Sequence, residues 1–137
     1  MSPDHPQLAE DDVIAGGGWH RSYARVLAVA SDGDYGFALV DGNGDGAELE
    51  SETWIWQAGV WAGAASAGEG PLDTLGRVQT GGPVGNAYFA FGKAPAGQTI
   101  MIDFDHRLHP VQVSRYGIWA FMKSAASPGQ CGPPAPA

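Results

Sequence analysis

Asp41-Gly42-Asn43-Gly44-Asp45-Gly46, followed by Glu52, has the spacing D-x-[DN]-x-[DN]-G-x₅-E of a calcium-binding loop. Calcium takes six to eight hard oxygen ligands, and alternate side chains of a tight loop converge on one point. Asp41, Asn43 and Asp45 are the candidate ligands, Glu52 the candidate bidentate carboxylate, and Gly46 sits where the chain must turn sharply. Two features depart from a helix–loop–helix site. The flanks Tyr35–Val40 and Thr53–Gln57 read as strands, and the loop position that is usually apolar is Glu48. A structural calcium ion in a β-connection is one reading; a plain acidic turn of Asn-Gly and Asp-Gly pairs is the favoured one.

A second cluster, Asp103-Phe104-Asp105-His106-Arg107-Leu108-His109, brings carboxylates and imidazoles together. Those groups suit acid–base work or a transition metal. The cluster lies where a hairpin should reverse, between Ile102 and Val111, so a polar turn is the favoured reading. Nucleophilic catalysis has little support. Ser66 lies in Ala-Ser-Ala-Gly-Glu-Gly and lacks the G-x-S-x-G elbow. Cys131, the single cysteine, sits in a Pro/Gly-rich tail and excludes an internal disulfide. No glycine-rich stretch has the G-x-x-x-x-G-K-[ST] form of a phosphate cradle.

The third candidate is aromatic. Trp54, Trp56 and Trp61 are three of the five tryptophans. Two apolar runs around Ala58-Gly59 form a hairpin, and its indoles are either core anchors or a platform on which a sugar ring or apolar ligand stacks. Core is the favoured role, because exposed apolar patches are uncommon on soluble monomers. The loop sets the register. A three-residue loop, Gln57-Ala58-Gly59, spares Ala58 a positive φ and is the preferred reading. It pairs Trp56 with Val60 and Ile55 with Trp61, which puts indoles on both faces. A two-residue loop would instead pair Trp56 with Trp61 and Trp54 with Gly63.

The 137 residues fit one domain. Frequent Gly (21) and Pro (10) punctuate short apolar runs, the pattern of strands and tight turns. The expected fold is all-β: an antiparallel β-sandwich or small barrel of eight or nine strands, with at most one short N-terminal helix. Strands are expected over 22–30, 35–40, 52–57, 60–63, 87–93, 99–104, 111–114 and 118–123, with an irregular one over 72–79 and a loop over 64–71. Two half-domains, 19–66 and 72–124, would supply one sheet each. Residues 1–18 are expected as a flexible segment, in which Gln7–Ala15 is either a short helix stopped by Gly16-Gly17-Gly18 or unstructured. Residues 19–124 form the domain, and 125–137 a disordered Pro/Gly-rich tail.

Charge is uneven. Residues 1–73 carry 13 acids and 2 bases, whereas 74–137 carry 2 acids and 5 bases. The acidic half argues against a nucleic-acid partner, and no apolar run is long enough for a membrane span. The first residues lack a signal-peptide pattern, so the expected location is the cytoplasm, or outside the cell if a leader has been removed.

Asp34-Tyr35-Gly36-Phe37-Ala38-Leu39-Val40 before an aromatic hairpin, and Phe91-Gly92-Lys93-Ala94-Pro95-Ala96-Gly97 before Gly117-Ile118-Trp119-Ala120-Phe121, resemble framework motifs of small uncharacterised all-β proteins of high-GC bacteria. The resemblance covers about a third of the chain and implies the fold class but no activity. The function expected from the residues is a non-catalytic binding or interaction module with a protein or small ligand as partner. The alternative is a small β-barrel enzyme or carrier whose cavity is lined by aromatics and the Asp103–His109 turn.

Overall fold

Phe89 and Phe91 leave one face of a strand while Tyr88 and Ala90 leave the other, and both sets are drawn into cores. A strand covered on both faces must lie between two layers. In a computed structural model, which describes residues 6–76, 79–80, 87–124 and 135–136, it does. The elements are α1 (Glu10–Gly17), β1 (Arg25–Asp32), β2 (Tyr35–Asp41), β3 (Leu49–Gln57), β4 (Val60–Gly70), a 3₁₀ turn at Leu72–Thr74, β5 (Gln79–Thr80), β6 (Ala87–Lys93), β7 (Thr99–Phe104), β8 (Arg107–Gln112), β9 (Ile118–Ser124) and β10 (Ala135–Pro136). Among the described residues the fold is all-β, with eight strands of six residues or more, two of two residues, and one short helix.

The pairing is antiparallel throughout and gives three sheets, β1-β2-β3-β4, β5-β6-β9 and β10-β7-β8. The first half of the chain makes one sheet, as expected, but the second half makes two. Leu27, Phe37, Leu39 and Leu49 of the first sheet meet Phe89, Phe91, Ile118 and Met122 of the second in a sandwich core. Phe37 stacks on Phe89 at a centroid distance of 4.5 Å. The far face of the second sheet, through Ala90, Trp119 and Phe121, packs on Ile100, Ile102 and Phe104 of the third. The far face of the first sheet carries Val26, Ala38, Val40, Trp54 and Trp61 and is covered by α1 and the chain before it, through Leu8, Val13 and Ile14.

The N-terminal segment is therefore part of the core from Leu8 onward rather than a flexible lead. Glu10, Asp11 and Asp12 fill the first helical turn, where the helix dipole favours acids, and Gly18 ends the helix at φ 73°. Gln79–Thr80 is a strand, but the expected irregular strand over 72–79 opens as the 3₁₀ turn, and residues 77–78 lie outside the described residues. Of the expected tail, residues 125–134 and 137 lie outside the described residues, and Ala135–Pro136 pair with Met101 and Ile100. The expected loop over 64–71 is mostly strand. Its small residues continue β4 to Gly70, since they lie at an edge where little side-chain packing is required.

The tryptophan hairpin adopts the register not preferred from sequence. Trp56 pairs with Trp61, Gln57 with Val60, and Trp54 with Gly63. Ala58 takes φ 54° and Gly59 φ 83°, the doubly left-handed geometry of a two-residue type I′ loop. An L-residue pays about 1–2 kcal/mol for that conformation. In return, all three indoles share the α1 face. Burying one indole of about 150–250 Å² contributes roughly 4–6 kcal/mol, so Trp61, only 7 % exposed, decides the register against Ala58.

Candidate functional site

The β2–β3 loop holds three of the proposed calcium ligands, and the structure shows how each is used. Asp41, 3 % exposed, accepts hydrogen bonds from the N–H groups of Gly44 (3.1 Å) and Gly46 (2.7 Å). Asp45 accepts from the N–H of Ala47 at 3.0 Å, and Asn43 is exposed. Gly44 is required twice over: its φ is 72°, and a Cβ there would lie 2.5 Å from the Tyr23 carbonyl oxygen. The loop is closed by its own backbone around one carboxylate.

Glu52 is elsewhere. In the β2–β3 ladder Asp41 is opposite Leu49, whereas Glu52 is opposite Ala38. Leu49 belongs to the sandwich core and Ala38 to the α1 core, so Asp41 and Glu52 leave opposite faces of the sheet. The expected ligand set is split, and no group of three or more His, Cys, Asp or Glu among the described residues is arranged to hold a metal.

Glu52 instead joins two indoles. Trp19 Nε1 donates to its Oε2 at 3.0 Å and Trp54 Nε1 to its Oε1 at 3.3 Å. The Glu52–Trp54 contact follows from the i, i+2 spacing on one strand face. The Trp19 contact spans 33 residues and had no signal in the sequence beyond two glycines. A Cβ on Gly17 would lie 2.8 Å from Trp19 Cδ1, and one on Gly42 2.6 Å from Trp19 Cζ3. Burial pushes the Glu52 carboxyl above its ordinary range; the two indole hydrogen bonds oppose that shift and Glu50 adds to it. The group lines neither of the two clefts described below, and it satisfies the indole of buried Trp54 and that of half-buried Trp19.

The aromatic platform is not presented. Trp54 is 1 % exposed and Trp61 7 %, and Trp61 Nε1 donates to the Pro6 carbonyl at 3.1 Å. Trp56 is half-buried and meets Trp61 edge-on, with centroids 5.6 Å apart. The hairpin is core, as favoured from sequence. In the Asp103–His109 stretch only Asp105 and His106, both at positive φ, form the turn; Arg107 to His109 belong to β8. Asp103, Asp105 and His106 are exposed, and the His109 ring lies 5.3 Å from that of Phe121.

A cleft of about 550 Å³ opens instead where four separate segments meet, and its lining includes Asp45, Leu72, Asp73, Lys93, Tyr116 and Ile118. The β2–β3 loop forms one wall, held by Asp41 and by the Leu72 N–H, which donates to the Gly46 carbonyl at 2.9 Å. The end of β6 places Lys93, whose Nζ donates to the Leu72 carbonyl at 3.1 Å. The turn before β9 places Tyr116. That turn is closed by a Gly117 N–H to Ser114 carbonyl bond of 3.0 Å, with Gly117 at φ 75°. Arg115 braces Tyr116 from outside the cleft, donating to its hydroxyl at 2.8 Å with its guanidinium 4.9 Å from the ring centroid. Among the described residues the polar side chains of the lining are two carboxylates, an ammonium and a phenol, and none is Ser, Cys or His. A smaller cleft of about 330 Å³ lies between β1 and β9 and shares Tyr116 and Ile118 with the first. No residue of 103–109 lines either cleft.

Compared with known proteins, the chain matches no family model, no curated protein and no solved structure.

Proposed function

We propose that the protein is a non-catalytic binding module whose ligand is a small polar molecule held in the cleft between the β2–β3 loop, the 3₁₀ turn, the end of β6 and the turn before β9. The observation that carries this reading is the convergence of Lys93, Asp45, Asp73 and Tyr116 on one concavity of about 550 Å³. Small-molecule sites span roughly 300–1,000 Å³ and combine an apolar lining with a few placed polar groups. Leu72, Pro71 and Ile118 supply the apolar part. The charged groups can orient a ligand, and among the described residues the lining holds no Ser, Cys or His to act in a nucleophile–base pair.

Protein-observed NMR of the backbone amides, with a mixture of small polar metabolites added, tests it. Binders should shift the amide signals of residues 45–47, 72–73 and 116–118, and Asp73→Asn, a change at an exposed position, should weaken them about tenfold. Binders that perturb none of these signals, or no binder at millimolar concentration, would overturn the reading.

A further inference from the structure

Lys93 faces the same cleft as Asp45 and Asp73, yet among the described residues it makes no ion pair with either within 4.0 Å. Its ammonium is instead held by one neutral acceptor, the Leu72 carbonyl, at 3.1 Å. An ammonium has three donors, so two remain for other partners. Asp45 spends one oxygen on the Ala47 N–H at 3.0 Å and keeps the other. Among the described residues the cleft thus displays one cationic and two anionic groups with no ion pair between them. A ligand with a single charge would be attracted by one kind of group and repelled by the other. A ligand carrying both charges would satisfy both kinds.

From this geometry we infer that the cleft takes a short zwitterionic peptide of two or three residues. This rests on the reading of the cleft as a binding site and names its ligand class. The peptide carboxylate pairs with Lys93, and the ammonium with Asp73 and Asp45. Leu72, Pro71 and Ile118 give the intervening side chains an apolar floor. One observation favours a peptide over a free amino acid: about 550 Å³ is more than one residue fills.

The test uses the full chain and three probes: the tripeptide Ala-Leu-Ala, its N-acetyl form and its C-terminal amide, each titrated by calorimetry. The free tripeptide should bind, and each blocked form should bind about tenfold more weakly or worse. The variants should then separate the ends. Lys93→Met should abolish discrimination against the amide while keeping that against the N-acetyl form, and the double variant Asp45→Asn, Asp73→Asn should do the reverse. Equal affinity for all three probes, or no tripeptide binding while other small molecules shift the amide signals of residues 45–47, 72–73 and 116–118, overturns the zwitterion and leaves the binding module standing. Silence from every probe and from the metabolite mixture overturns both. Because Lys93→Met also removes the bond to Leu72, its circular dichroism melt is compared with wild type. If it fails to fold, the double variant Asp45→Asn, Asp73→Asn decides: retained discrimination against the N-acetyl form overturns the assignment.

Discussion

Trp54 and Trp119 are equally deep in the protein, 1 % and 0 % exposed, but their indole N–H groups meet different surroundings. Trp54 donates to Glu52, which also accepts from Trp19. Trp119, between the second and third sheets, has no hydrogen-bond partner for Nε1 among the described residues. Its neighbours are Ala90, Ile100, Ile102, Phe104, Val113 and Phe121. One side of the molecule accepts a buried carboxylate to satisfy its indoles. The other leaves a donor unpaired in an apolar layer. Both arrangements carry a cost, desolvation of a charge in the first and an unmade hydrogen bond in the second.

Replacing each tryptophan with phenylalanine breaks the comparison most directly. Both changes lose ring area, but only Trp54→Phe also removes a hydrogen bond and leaves Glu52 with one donor fewer. Its loss of unfolding free energy should exceed that of Trp119→Phe by about 1–3 kcal/mol, measured by urea denaturation followed by circular dichroism. Equal losses would mean that the Trp119 N–H has an acceptor after all.

The next effect is smaller and depends on pH. Burial raises the Glu52 carboxyl above its ordinary value. Over the window between the ordinary and the raised value, the folded chain holds a proton that the unfolded chain has lost. Stability from this group is therefore fully present below the window and falls as pH rises through it. Glu52→Gln removes the titration and keeps an acceptor for one indole. Measured between roughly pH 4 and 8, wild type should gain stability relative to the variant as pH falls, while Trp119→Phe should follow the wild-type slope. A constant difference between wild type and Glu52→Gln would refute the raised carboxyl.

How much of this was legible depends on how local the cause is. The alternation of Tyr88-Phe89-Ala90-Phe91 and of Ile118-Trp119-Ala120-Phe121 is a period-two signal, and it placed β6 and β9 within a residue. The hairpin register was misread because the φ preference of Ala58 is a local quantity and the burial of Trp61 is not. Small side chains in β4 look like a loop because an edge strand needs few large ones. The Trp19–Glu52 bond joins residues 33 apart, and the cleft is assembled from four segments, so neither has a spacing to find. The calcium motif shows the converse. Its spacing is local and complete, yet the strand register undoes it.

That register sets the smallest effect expected. A calcium site built from Asp41, Asn43, Asp45 and Glu52 needs four side chains on one side of the chain, but Glu52 begins the α1 face while Asp41 faces the sandwich core. Were the loop to bind calcium, an ion at about 100 times its Kd would stabilise the fold by roughly 2.7 kcal/mol and raise Tm by several degrees. In the structure Asp41 accepts from two Gly N–H groups, at 3.1 and 2.7 Å. A thermal melt in excess EDTA and another in millimolar calcium should therefore agree within about 1 °C. A calcium-specific rise would show that the Gly44 and Gly46 amides give up Asp41 to a metal, and would move the β2–β3 loop from wall of the cleft to site of its own.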